Sequence, residues 1–376
     1  MLPEATHDEV ARFNAIAHLN AFLAQKVTPT IGRAYEGRAG QAFRNRHGRA
    51  PADRKDVAET IGNDPAYQTW STLRRNSMEM RQQAGRSLVL RQAAALRDRA
   101  AALNEGAATL HLDPALPLPR YLTAIDTHLM PGGYTNEGLE GDVSSAANYD
   151  AGFFATVGGS GGPWNNACGR ALVDWLQKEV PDFKPKRIVD LGCGLGHNTL
   201  PLRELFPEAE IIAIDVAAPM LRYGHARARS LGVDDVYFRQ EDATATSLEA
   251  RSADFVFTTM VLHETSYDAL PKLLAEAQRL LRPGGLTLHL EQPPYRGMGP
   301  LEQFMRDWDG RHNNEPFWTA LHETSLPDVL ARVGFARDQI FETRCIAPAR
   351  NAAADRKTED FGRAPNWYAV GAWQAA

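Results

Sequence analysis

From Asp8 to Lys26 the apolar residues Val10, Phe13, Ile16, Leu19, Phe22 and Leu23 recur at intervals of three and four, which predicts an amphipathic helix. Asp64 followed by Pro65 is a cap and first-turn pair. The run behind it, Tyr67, Trp70 and Leu73 and then Leu88 to Leu103, predicts one long helix or two in series. The chain to about residue 106 is therefore expected to be helical throughout, without an internal repeat. Three prolines in Asp113 to Pro119 mark a junction, and a brief helix is expected around Tyr121 to Leu129. Met130 to Pro163 is rich in glycine and irregular, yet it carries Tyr134, Tyr149, Phe153 and Phe154, which a plain linker would not need.

Beyond Trp164 the period changes. A helix over Trp164 to Val180, with Ala171, Leu172, Trp175 and Leu176 on one face, precedes a series of short apolar runs. Strands are expected at Arg187 to Leu191, Glu210 to Val216, Val236 to Gln240, Ala253 to Met260 and Leu286 to Glu291. Helical runs separate them at His197 to Leu205, Pro219 to Leu231 and Tyr267 to Leu281. Strands alternating with helices predict a parallel sheet covered on both faces. Helices at Leu301 to Asp309 and Ser325 to Val333 follow, then two final strands, Asp338 to Arg344 and Asn366 to Trp373, with a mobile surface loop expected over Ala347 to Ala364. The fold expected is α/β, a doubly wound sheet of seven strands with an antiparallel last pair, preceded by an all-helical region. The organisation expected is a helical domain at 1–130, a connection or lid at 131–163 and a sheet domain at 164–376.

Composition narrows the setting without changing this picture. With 376 residues, 44% hydrophobic and 23% charged, the chain has the make-up of an ordinary soluble globular protein. No apolar run approaches the roughly 20 residues that span a bilayer, and the N-terminus lacks the basic and apolar regions of a secretory signal, so a cytoplasmic location without membrane attachment is expected. The cysteines Cys168, Cys193 and Cys345 are far apart and have no C-x-x-C spacing, so neither a disulfide framework nor a cysteine zinc site is suggested. The net charge of -5 is uneven, with 16 Lys+Arg against 11 Asp+Glu in residues 1–110. That excess is small enough for a solvated helical face, and nucleic acid is not the expected partner.

The stretch with most chemistry in it is Arg187 to Gly196, RIVDLGCGLG. A buried strand ends in alternating glycines, and a helix follows. The dinucleotide fingerprint G-x-G-x-x-G would need glycine at position 197, where the chain has His197, so a nicotinamide dehydrogenase is disfavoured. Asp190 followed by Gly192, Gly194 and Gly196 resembles the first motif of class I S-adenosylmethionine (SAM) dependent methyltransferases. Asp215 lies 19 residues past Gly196, at the end of the next strand, where an acidic residue can accept hydrogen bonds from both ribose hydroxyls of an adenosine cofactor. Later segments, Thr259-Met-Val-Leu-His263-Glu264 and Leu280-Leu-Arg-Pro-Gly-Gly285, resemble the corresponding motifs of small-molecule methyltransferases similar to the ubiquinone and menaquinone enzymes. The resemblance covers about Trp164 to Gln292.

It implies SAM as cofactor and a set of cofactor-binding residues. These are Asp190 near the methionine amino end; Gly192, Cys193, Gly194 and Gly196 in the turn; Asp215, Val216 and Met220 at the second strand; Asp242 and Ala243 near the adenine; and Thr259 at the fourth. The open edge of the sheet should also receive the acceptor, with Tyr149, Phe153, His312, Asn313, Glu315 and Trp318 as substrate-binding candidates. His263, Glu264 and His322 are the catalytic candidates, because a histidine with a pKa near 6.5 can take a proton from a hydroxyl at neutral pH. O-methylation of a small molecule is therefore favoured over N-, S- or C-methylation. Gln292-Pro-Pro-Tyr295 is similar to the base-clamping loop of nucleic-acid amino-methyltransferases, but it follows the wrong strand and begins with Gln. His263-Glu264, His312, Glu315 and His322-Glu323 lack the spacing of a helical ligand pair, and no metal is expected. Alternatives are an RNA methyltransferase that uses the N-terminal arginines, and a SAM-binding module without catalysis. The helical region is expected either to roof the acceptor or to form a homodimer.

Overall fold

Side chains alternate between the two faces along the strands, and nearly every position of the central strands is buried, so that one sheet presents two apolar faces. In the computed structural model, which describes residues 1–156, 161–162, 164–347 and 366–375, Ile188, Ile211, Phe255 and Leu288 join a cluster with Leu172, Trp175 and Leu221 from helices on one side. Val189, Ile212, Ile214 and Val256 point the other way, into a cluster with Leu273, Leu274 and Leu330. Covering both faces keeps water from the strands, which suits their near-continuous apolar sequences.

The sheet has eight strands where seven were expected: β1 (Leu110–His111), β2 (Arg187–Leu191), β3 (Glu210–Asp215), β4 (Val236–Gln240), β5 (Ala253–Thr259), β6 (Leu281–Glu291), β7 (Ile340–Ile346) and β8 (Asn366–Trp373). Their order is β1-β4-β3-β2-β5-β6-β8-β7. The additional strand, β1, is two residues long and pairs parallel with β4. Two residues carry no periodicity, which is why the pattern missed it. β8 inserts between β6 and β7 and runs antiparallel to both. With β3 on one side of β2 and β5 on the other, connections leave β2 in opposite directions, and a crevice opens beyond the carboxyl ends of these strands.

The first hundred residues are helical, as the pattern predicted. Thr6 and Glu9 form a capping box ahead of the helix His7–Phe22, although Val10 and Phe22 of its apolar stripe are 47% and 52% exposed. Asp64 caps Pro65–Leu90, and a break at Arg91 and Gln92 separates it from Ala93–Asn104. The brief helix expected at Tyr121 to Leu129 is two pieces, Arg120–Thr123 and a tighter turn at Thr127–Leu129.

The connection or lid expected over 131–163 is not irregular throughout: it contains a helix, Ser144–Thr156, whose Ala146, Ala147 and Ala155 are fully buried. It packs against Pro65–Leu90 at Gly85, where a Cβ would come within 2.0 Å of Asn148 Oδ1. Small residues hid this helix, since alanine, serine and glycine contribute little to an apolar period. The GGSGGP tract and the loop expected at Ala347 to Ala364 fall largely outside the described residues. No described helix is long and apolar enough to cross a membrane.

Candidate active site

The turn after β2 uses its three glycines for three different reasons. All have positive φ, at 81°, 53° and 72° for Gly192, Gly194 and Gly196. A Cβ on Gly192 would lie 2.7 Å from Val261, and one on Gly196 would lie 3.0 Å from the Phe238 ring. A Cβ on Gly194 would meet no atom within 4 Å. The first two glycines serve packing, whereas Gly194 borders open space. That space is a cavity of about 260 Å³.

Asp215 closes β3 beside this turn. Its carboxylate accepts the Gly194 N–H at 2.9 Å and the Ala217 N–H at 2.8 Å. Burial raises its pKa, and these backbone N–H groups oppose the rise. Asp242 is tied down by the Thr244 N–H and hydroxyl, at 2.8 and 2.7 Å. Cys193, Val216 and Met220 line the cavity at this end, as do Ala243 and Thr259. Two of the expected cofactor residues do not reach it. Gly196 packs under Phe238. Asp190 is fully buried behind the turn, accepting the Thr199 hydroxyl at 2.6 Å, with burial raising its pKa to about 7. A carboxylate inside the strand, rather than after it, points into the layer beneath the turn.

His197, which stands where a dinucleotide fold would need glycine, has a definite structural role. Its Nε2 lies 2.8 Å from Asp150 Oδ1, and Tyr223 donates to the other oxygen of Asp150 at 2.9 Å. The helix Ser144–Thr156 is thereby fastened to the glycine turn, placing Tyr149 and Phe153 on the cavity wall. Asn20, Ser77, Met78 and Arg81 complete the wall from the N-terminal helices.

At the far end, four separate segments converge. His263, Glu264, Asn313 and Trp318 line the cavity, as sequence reasoning placed them. Glu315 lies just behind, with its Oε2 at 3.7 Å from His263 Nε2. His128 and Tyr134 were not expected. His128 Nε2 lies 3.0 Å from Glu264 Oε1, its Nδ1 lies 3.1 Å from Glu315 Oε1, and Tyr134 donates to Glu264 Oε1 at 3.0 Å. His263 Nδ1 donates to Glu291 Oε1 at 2.6 Å. Burial alone would lower both histidines, but the carboxylates around them raise His128 to about 10 and His263 to about 9. The backbone here is held in unusual conformations, with φ near 55° at His128, 58° at Leu129 and 57° at Met260.

Two candidates belong elsewhere. His322 does not reach the cavity; its Nδ1 bonds the Pro293 carbonyl, its ring stacks on Tyr295, and burial lowers it to about 4. His312 packs its ring on Trp308, while its carbonyl accepts from Arg75. The Gln292 to Tyr295 segment is structural too, since Tyr295 donates to Asp307 and lies under Arg54. A lone histidine at position 128 carried no sequence signal. Tyr134 did have one, as an aromatic in a glycine-rich stretch.

Residues 188–285 match the family described as a methyltransferase domain. Over 123 residues the chain is 37% identical to a demethylmenaquinone methyltransferase of Thermus thermophilus, covering 32% of this chain and 54% of that one. It is 38% identical over 101 residues to a malonyl-[acyl-carrier protein] O-methyltransferase of Methylococcus capsulatus, covering 27% and 35%. A trans-aconitate 2-methyltransferase of Methylobacterium nodulans is 37% identical over 134 residues, covering 34% and 48%. The chain thus spans about a third to a half of the length of these relatives. These matches, the glycine turn and Asp215 agree: the chain carries a class I SAM-dependent methyltransferase domain related to those of small-molecule methyltransferases.

Proposed function

We propose that the protein transfers the methyl group of SAM to an oxygen of a small, uncharged or cationic acceptor. The observation that carries this reading is a single cavity that runs from Gly194, Asp215 and Asp242 at one end to His263, Glu264, Asn313 and Trp318 at the other. SAM would supply a methyl group already activated by its positive sulfur. The chain's own residues then have to bind, orient and exclude water. Asp215 and the open face of Gly194 suit the ribose and the adjoining chain. Asp242 and Ala243 suit the adenine end. Tyr134, Tyr149 and Phe153 would keep the acceptor dry, with Trp318 packed edge-on to His263 at 5.0 Å to hold its ring.

Two relatives have names that speak for small acceptors, trans-aconitate and malonyl-[acyl-carrier protein], and the second is an O-methyltransferase by name. The family match ends at residue 285, before Glu291 and Glu315 of the acceptor end. Glu291 and Glu315 are buried there and Glu264 partly so, more carboxylates than the two imidazoles beside them, which disfavours a carboxylate acceptor of their kind. Against a nucleic-acid substrate, several of the N-terminal arginines are engaged in ion pairs: Arg38 with Asp64, Arg46 with Glu59, Arg49 with Asp56, and Arg54 with Asp307 and Glu323. We read residues 1–130 as a roof over the acceptor, since Asn20, Ser77, Met78, Arg81 and His128 face it, rather than as a homodimer surface.

Calorimetry with SAM, S-adenosylhomocysteine and NAD, followed by methyl transfer from labelled SAM to a metabolite extract or to total RNA, tests this. SAM binding with label in small molecules is expected. Binding of NAD alone, or label in RNA alone, would overturn the reading.

A further inference from the structure

The acceptor end holds more donors than positioning an organic acceptor requires: one donor atom each of His128, Glu264 and Glu315 lies within 4.8 Å of the others, and His263 stands beside them. His128 Nε2 and Glu264 Oε1 are 3.0 Å apart. His263 Nε2 lies 3.7 Å from Glu264 Oε1 and 3.7 Å from Glu315 Oε2. Ligands about 2.1 Å from a metal ion sit roughly 3.0 to 3.4 Å from one another in octahedral or tetrahedral sites. The observed separations lie at or slightly above that range.

The groups behind these donors fix their orientation. His263 Nδ1 donates to Glu291 Oε1, which turns Nε2 toward Glu264 and Glu315. Glu291 is itself held by the backbone N–H groups of His263 and Gln292. His128 Nδ1 lies against Glu315 Oε1 at 3.1 Å, so donating there leaves its Nε2 free to ligate. Gln82 donates to the His128 carbonyl, Tyr134 to Glu264, and Asn313 Nδ2 to Glu315 Oε1. Carboxylate and amide partners behind ligating imidazoles and carboxylates are the usual support of a metal centre. The charges agree, because the buried Glu291 and Glu315 and the partly buried Glu264 facing two imidazoles leave an excess of negative charge that a divalent cation would offset.

We propose that His128, Glu264 and Glu315 form a binding site for one divalent first-row transition-metal ion, opening on the cavity, with His263 beside it. The donor set is one imidazole nitrogen and two carboxylate oxygens, with a second imidazole adjacent, which suits Zn²⁺, Mn²⁺, Fe²⁺ or Co²⁺ over Mg²⁺ or Ca²⁺. The remaining coordination positions face the cavity, since His128, His263 and Glu264 all line it. The helical-pair spacing that led the sequence to predict no metal does not apply to a site drawn from positions 128, 264 and 315.

The test needs neither cofactor nor acceptor, so its outcome is independent of the methyl-transfer reading. The full chain is stripped with a chelator and titrated with Co²⁺, followed by visible absorption and equilibrium dialysis. About one equivalent is expected to bind and to be displaced by Zn²⁺. The isosteric variants Glu264→Gln and Glu315→Gln should weaken uptake by about tenfold or more, and the exposed-site control His7→Ala should not. Should a variant unfold, X-ray absorption at the cobalt edge on the unaltered chain decides, with imidazole expected in a nitrogen and oxygen shell. No uptake by the stripped chain, unchanged affinity in both folded variants, or a shell without imidazole would each overturn the proposal. An ammonium-bearing acceptor as the true occupant of this end would appear as the first of these results.

Discussion

Asp215 is bonded to the turn it faces: its carboxylate accepts the Gly194 N–H at 2.9 Å, joining the end of β3 to the glycine after β2. The same carboxylate holds the Ala217 N–H at 2.8 Å. Asp215→Ala therefore removes a ribose acceptor and also loosens the turn. SAM affinity should fall by roughly 1 to 3 kcal/mol, the range for hydrogen bonds lost from a buried polar partner, while the sheet melts normally. Calorimetry checks this, and an unchanged affinity would sink the assignment of the cofactor end.

The three glycines of the turn should respond differently to the same substitution. Alanine at Gly192 or Gly196 adds a Cβ against Val261 or Phe238, so both variants should lose stability. Alanine at Gly194 meets only open space, although its φ of 53° still strains the backbone. Gly194→Ala should show the smallest fall in melting temperature and the largest loss of SAM affinity. A ranking in which affinity simply follows stability across the three would show that Gly194 is not beside the cofactor.

What the sequence made legible depended on how each part is encoded. The sheet was readable because Ile188 to Leu191, Ile211 to Ile214 and Phe255 to Phe257 are apolar runs between helices of clear period. The cofactor end was readable because its residues sit at fixed distances along one stretch of chain. The acceptor end was only half readable. His263 and Glu264 follow a strand, whereas His128 comes from a short turn with left-handed backbone and Glu315 from a loop, and no periodicity brings such residues together. His322 misled for the opposite reason: its type was right, but its helix turns the ring toward Pro293 and Tyr295.

That distinction separates two histidine variants. His263→Ala should lower turnover at least tenfold, about 1.4 kcal/mol in the barrier, with SAM affinity little changed. His322→Ala should mainly lower the melting temperature, since its ring fills a buried layer between Tyr295 and Trp318. Turnover with the identified acceptor and thermal melting, measured on both variants, decide the matter. Equal losses of turnover at matched stability would return His322 to the chemistry.

Gly85 offers a test of how the N-terminal helices hold the cavity wall. A Cβ there would lie 2.0 Å from Asn148 Oδ1, which has no room to retreat while Asn148 Nδ2 donates to Gln82 Oε1 at 2.9 Å. Gly85→Ala should cost about 1 to 3 kcal/mol through overpacking and displace Ser144–Thr156 with its Tyr149 and Phe153. Proteolysis within that helix should accelerate. Cleavage at the rate of the unaltered chain would mean that the helix is positioned by His197 and Tyr223 through Asp150 instead.

The pH dependence of stability has an identifiable source in the middle of the sheet. His289 on β6 is fully buried, with its ring nitrogens 2.9 Å from the hydroxyls of Thr258 and Thr287, and burial pushes its pKa down to about 3. In the unfolded chain it titrates near 6.5. Between these values the unfolded state binds a proton that the native state refuses, so stability falls as pH falls from about 6.5 toward 3 and is unaffected by this group at higher pH. His289→Gln removes the titration while leaving an amide that can bond one threonine. Whatever the variant costs at pH 8, its stability should decline less steeply on acidification, and the difference should narrow by about 2 kcal/mol between pH 7 and pH 5. His225 and His322, both lowered to about 4, titrate in both proteins and cancel from the comparison. Urea midpoints measured across this range supply the slopes, and parallel slopes would show that His289 does not stay neutral in the folded sheet.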